Sequence, residues 1–180
     1  MRPWIVATTW FIPLLMSLQN TRADDIPPPY PHYTLDVFPV RGAEAIVSSN
    51  PLGLADYQTP DLGGYKYIRI FTDPGQPDVK FNYICSFQST DGKNYDSVTS
   101  YNGETCPPNG LSNFMRGITI SLDGPKKYFY TLNVSCTIDY FGGYPPSSYN
   151  VGNGQICGNS SLSGAPAQWI RDLKIEMHRK

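Results

Sequence analysis

Histidine is nearly missing from this chain: 2 in 180 residues, His32 and His178. Triad hydrolysis needs an imidazole held between a carboxylate and a nucleophile, and structural zinc needs Cys or His at close spacing. Neither histidine lies near a cysteine, and there is no Cys-x-x-Cys and no Gly-x-Ser-x-Gly. An excess of one charge is missing too: 14 basic residues face 15 acidic ones, with no basic block. That balance argues against nucleic acid or an anionic membrane as a main partner. Long apolar runs are confined to the start. Trp4 to Leu18, interrupted by Pro13, is too short to cross a bilayer comfortably. With Arg2 before it and the small residues Thr21 and Ala23 after it, residues 1–23 read as a secretory leader cut before Asp24. No membrane insertion is expected of the rest, and the expected location is extracellular.

Helical periodicity is scarce as well. Short segments rich in Val, Ile, Thr, Tyr and Phe alternate instead with Gly, Pro, Asn, Asp and Ser, which is the pattern of an all-β chain. Candidate strands are Tyr33–Val40, Glu44–Ser48, Tyr65–Thr72, Val79–Phe87, Tyr95–Tyr101, Met115–Leu122, Tyr128–Ile138 and Leu173–His178. The last also carries Trp169, Leu173 and Met177 at helical spacing. The alternation of Leu173, Ile175 and Met177 with Asp172, Lys174 and Glu176 favours a strand. Residues 24–32, with Pro27, Pro28, Pro29 and Pro31, form an extended arm. Residues 33–180 are then expected to be one antiparallel β-sandwich of about eight strands.

Four cysteines are present. In an exported chain an even count favours disulfides. Cys85 to Cys106 and Cys136 to Cys157 are equal spacings, and each closes on a similar phrase: Asn102-Gly103-Glu104-Thr105-Cys106 and Asn153-Gly154-Gln155-Ile156-Cys157. A shift of 51 residues, Cys85 onto Cys136, lays Val79, Phe81, Tyr83 and Phe87 on Tyr130, Leu132, Val134 and Ile138. Two tandem related units, about 65–114 and 115–178, are expected, with the residues before them adding edge strands. Pairing within each unit applies one rule twice. Pairing across units, Cys85 with Cys136 and Cys106 with Cys157, would also respect the duplication.

The search for chemistry is mostly negative. Asp73, Asp78, Asp91, Asp96, Glu104, Asp123 and Asp139 could supply a glycosidase pair, but most sit beside Gly, Pro or Asn, where turns place them. No calcium-loop spacing occurs. No enzyme activity, cofactor or metal is expected. Recognition is easier to support. The chain holds 13 tyrosines, and the excursion Asp139–Asn150 carries Tyr140, Phe141, Tyr144 and Tyr149 among Gly, Ser and Pro. Rigid amphipathic rings beside adaptable polar groups make a contact surface; the same rings can also cover the base of their own loop. Asn133-Val134-Ser135 and Asn159-Ser160-Ser161 are N-glycosylation sequons, and strand alternation turns Asn133 away from the Cys136 face. The expectation is a secreted, non-enzymatic recognition protein whose partner is an extracellular protein or glycan. The alternatives are a component of a matrix, shell or egg coat, and, further off, a secreted hydrolase.

Overall fold

The computed structural model describes residues 32–39, 44–58, 64–74, 78–88, 95–107, 114–158 and 168–180. The leader and all of the proline-rich arm except His32 lie outside them. Among the described residues eleven strands run as β1 Tyr33–Pro39, β2 Ala45–Ser48, β3 Leu54–Gln58, β4 Tyr65–Thr72, β5 Lys80–Gln88, β6 Tyr95–Tyr101, β7 Met115–Asp123, β8 Tyr130–Tyr140, β9 Ser147–Gly152, β10 Ile156–Gly158 and β11 Gln168–Arg179. Among the described residues there is no α-helix, only a 3-10 turn at Lys127–Phe129. No helix there is long and apolar enough to cross a membrane. The strands make three antiparallel sheets, ordered β2-β1-β4, β10-β7-β5-β6 and β3-β11-β8-β9.

All eight expected strands are present, and β11 begins earlier, at Gln168. Three more, β3, β9 and β10, were not expected from sequence. Each lies at a sheet edge with one neighbour. An edge strand buries little, so its sequence need not alternate strongly. The central strands do alternate. Phe81, Tyr83, Cys85 and Phe87 of β5 are fully buried, as are Leu173, Ile175 and Met177 of β11, while Leu132, Val134, Cys136 and Ile138 of β8 are at most 3 % exposed. Side chains two apart share a face, and these faces meet in one buried cluster fed by all three sheets.

Three strands break alternation at corresponding points. In β4 the register passes from Tyr65 to Tyr67, in β7 from Met115 to Gly117, and in β11 from Ile170 to Asp172, leaving Lys66, Arg116 and Arg171 as extra residues. A bulge of one residue resets the facing of everything beyond it. Tyr65 and Ile68 therefore both point inward, as do Met115 and Ile118, and Ile170 and Leu173; all six are fully buried.

The pairing scheme recurs along the chain. Within residues 33–72, β1 pairs with β2 and with the bulged β4. Within 80–123, β5 pairs with β6 and the bulged β7. Within 130–179, β8 pairs with β9 and the bulged β11. The remaining segment of each run crosses to the bulged strand of another: β3 to β11, Cys106 by a single bridge to Ile68 of β4, and β10 to β7. The crossings close a ring around the core. Disulfides join Cys85 to Cys106 and Cys136 to Cys157, each over a sequence separation of 21. The within-pair connectivity is thus the one present.

Candidate functional site

Strand ends from all three sheets gather at one end of the molecule. Phe114, just before β7, packs on Phe141 after β8 (5.4 Å between rings) and on Trp169 of β11 (6.2 Å). Gly64, just before β4, lies against the same tryptophan. A Cβ on Gly64 would come within 2.7 Å of the Ile170 carbonyl and 2.8 Å of Trp169 Cδ1, and its φ is +63°. Only glycine fits that approach and that backbone.

The most exposed feature here is the β8–β9 hairpin. Its tip, residues 141–146, is exposed throughout. Gly143, at φ +78° with nothing within 4 Å of a Cβ position, reverses the chain. Pro145 and Pro146 then stiffen the return. The four residues singled out from sequence divide into two groups. Tyr140 ends β8, half-buried, with its hydroxyl 3.1 Å from Ser147 Oγ and its ring edge-on to Tyr144 at 6.4 Å. Tyr149 belongs to β9, not to the loop. It lies opposite Cys136 and packs on the rim of the core, where burial first, and then a hydrogen bond with Tyr140, push its phenol above the usual tyrosine range. Phe141 goes elsewhere, 4.5 Å from the Trp169 ring at 62°. Tyr144, 60 % exposed, and Phe141, 45 % exposed, are the rings offered to solvent; Tyr140 and Tyr149 hold the hairpin onto the core.

Phe114 and Trp169 are the residues that sequence reasoning did not place in the site. Each stands one residue before the apolar residue that precedes a bulge (Met115 and Ile170), as Gly64 does before Tyr65, so their shared position was the available signal. Trp169 is 2 % exposed and Gln168 1 %, and Trp169 Nε1 and Gln168 Nε2 have no hydrogen-bond partner among the described residues. Two buried donors thus sit at the foot of the hairpin. Outside it, Arg171 bridges Asp172 (3.0 Å) and Asp139 (3.3 Å) and fixes the base of β8 against β11.

Four of the candidate carboxylates, Asp78, Glu104, Asp123 and Asp139, have structural partners. Asp78 meets Lys126 at 3.1 Å, and Glu104 accepts the Tyr101 N–H at 2.9 Å. The Gly124 N–H and then Lys127 hold Asp123 below the usual carboxylate range. Asp91 lies outside the described residues. No group of three or more His, Cys, Asp and Glu able to hold a metal occurs among the described residues. Asn133 is half-exposed in β8, on the face opposite Cys136, and Asn159 lies outside the described residues. Comparison with known proteins finds no matching family model, no matching curated protein and no matching solved structure.

Proposed function

We propose that this chain is a secreted, non-enzymatic recognition protein that binds an extracellular protein or glycan through the hairpin end of its β framework. The observation that carries the reading is the pairing of exposure with rigidity at the tip. Tyr144 and Phe141 present ring surface to solvent, while Tyr140, Ser147 and Trp169 fix the loop that bears them. Held rings cost little entropy to bind with. Two disulfides and two sequons support an oxidising, exported location. The carboxylates engaged in ion pairs and turns support a binding rather than a catalytic role.

The framework itself we infer to be built from related units. The 51-residue shift is supported by matching contacts: Cys106 and Cys157 face Ile68 and Ile118, and Gly103 and Gly154 donate to the carbonyls of Ile70 and Ile120, both at 2.9 Å. The recurring pairing scheme extends the relation to residues 33–72, which makes three units rather than two.

The test uses the secreted chain on arrays of extracellular proteins and glycans. Tyr144→Ala should abolish binding to any hit while leaving the thermal transition unchanged, because its side chain is mostly in solvent. Tyr140→Ala is a poorer probe, since it removes packing from the core rim. A Tyr144→Ala protein that binds every hit as tightly as the parent rejects the hairpin as the contact.

A further inference from the structure

Along β8, Val134 enters the core and Asn133 and Ser135 stay half-exposed on the outer face. The two sides of Asn133 differ. Across β11 it faces Glu176; across β9 it faces Gly152, which has no side chain to stand beside it. Even a Cβ added at Gly152 would meet only Gln155 Oε1, at 3.5 Å. On that open side lies a groove of about 380 Å³ whose walls include Asn133, Gly152, Asn153, Lys127, Tyr128 and Lys180. That volume is within the range of small-molecule sites, about 300–1,000 Å³. Tyr128 is 62 % exposed and its ring is held by Phe129 at 5.1 Å. It is a large ring left in water at the edge of a groove that starts at a sequon asparagine.

We infer that Asn133 carries an N-linked glycan whose first sugars lie in this groove against the Tyr128 ring. In the linking step the Asn133 side-chain nitrogen forms a bond to the sugar C1 of a lipid pyrophosphate-linked oligosaccharide. The C1–O bond breaks, the lipid pyrophosphate leaves with the electron pair, and the amide gives up one proton. The C–H face of a pyranose covers an aromatic face, while its hydroxyl and acetamido groups find donors in Lys127, Lys180 and Asn153. The glycan thereby covers the exposed ring at the end opposite the recognition hairpin and leaves that hairpin clear. This rests on the secretory reading, because the linkage is made on chains that enter a eukaryotic export route.

The experiment expresses the full chain, leader included, in cultured eukaryotic cells. Medium protein is treated with peptide-N-glycosidase in heavy-oxygen water and mapped by mass. Most molecules should carry the heavy label at position 133, and Ser135→Ala should remove it. Trimmed to one N-acetylglucosamine, the folded protein should show an acetyl methyl resonance shifted upfield by the Tyr128 ring, and Tyr128→Ala should cancel the shift while leaving occupancy unchanged. Medium protein bare at Asn133 but labelled at Asn159 overturns the site and leaves secretion standing. Protein kept in the cells with its leader attached overturns both. An occupied Asn133 with the same methyl shift in parent and Tyr128→Ala overturns the seating in the groove.

Discussion

Residues 33–72 run through the same pairing scheme as 80–123 and 130–179, yet they contain no cysteine. Where Cys85 faces Ile118 and Cys136 faces Leu173, Val37 faces Ile68; where Cys106 and Cys157 reach across to Ile68 and Ile118, Tyr57 reaches across to Leu173. Val37 is fully buried and Tyr57 packs against the core. An apolar pair therefore occupies the place of a bridge. The strand scheme fixes where a disulfide can sit, and the sulfur strengthens an arrangement that apolar packing also sustains.

The largest expected effect is the loss of a bridge. Replacing Cys136 and Cys157 together by alanine should cost about 3 kcal/mol, since a loop of this size frees roughly that much chain entropy in the unfolded state. The Cys85–Cys106 pair, with the same separation of 21, should cost a similar amount. Denaturant unfolding of the two variants checks both figures. Either variant should keep its strand signal by circular dichroism, as the bridge-free first run does. Collapse of that signal in both would show that sulfur, not pairing, specifies the fold.

The converse change sharpens the same comparison. Val37→Cys with Tyr57→Cys should close a third disulfide without added oxidant, read as two hydrogens lost by intact mass and no free thiol. The gain is smaller, about 2 kcal/mol, because the roughly 3 kcal/mol of loop entropy is offset by about 1 kcal/mol of lost core packing. Two free thiols in the folded variant would break the equivalence of the three runs.

The asparagine corners test the scheme more finely. Asn102 Oδ1 accepts from Thr72 N (3.0 Å), Thr72 Oγ1 (3.4 Å) and Phe81 N (3.4 Å), whereas Asn153 Oδ1 accepts from Leu122 N (2.8 Å). In the first run Ser49 stands at this point and takes the Tyr33 N–H at 3.0 Å. Alanine at Asn102 should cost about 2 kcal/mol and at Asn153 about 1 kcal/mol, measured by thermal or denaturant unfolding, because more backbone donors are stranded at the first. Equal costs would mean that the two corners bear on stability alike.

Much of this framework was legible in the residues, and the part that was not has a physical cause. Strong alternation marked β5, β8 and β11 because both neighbours of each are strands. It failed for β3, β9 and β10, where an edge buries one side lightly. The bulges hid the recurrence of the pairing scheme in residues 33–72. Tyr65-Lys66-Tyr67-Ile68, Met115-Arg116-Gly117-Ile118 and Ile170-Arg171-Asp172-Leu173 share an apolar–basic–x–apolar pattern, but strict alternation does not look for it. The site was half legible. Tyr and Gly composition drew attention to 139–150, yet nothing local distinguishes Tyr149, which turns inward across from Cys136, from Tyr144, which does not. Trp169 and Phe114 come from distant sequence and meet only through the ring of sheets.

The smallest expected effect isolates a feature found in one run alone. Tyr83 occupies the place of Leu35 in β1 and Val134 in β8, facing Ile120 as they face Ile70 and Ile175. Its buried hydroxyl donates to the Glu104 carbonyl and accepts the Ile70 N–H at 3.3 Å, tying the first disulfide corner to β4. Val134, at the same place by the second corner, has no hydroxyl to make such a tie. Tyr83→Phe should cost about 1 kcal/mol at neutral pH, the worth of an ordinary buried hydrogen bond. Its clearer signature is alkaline. Burial pushes the Tyr83 phenol up to about 12, while an unfolded tyrosine ionises near about 10. Between those values the unfolded chain has lost a proton that the folded chain keeps, so stability falls as pH rises. The contribution is complete below about pH 10 and lost as pH climbs through about 12. Tyr33 and Tyr65, also shifted upward by burial, keep some slope in the variant. Tyr83→Phe should make the fall in unfolding free energy over that window shallower by the share of one proton, measured by urea titrations at successive pH values. Parallel curves for parent and variant would place the Tyr83 hydroxyl in contact with water rather than sealed into the corner.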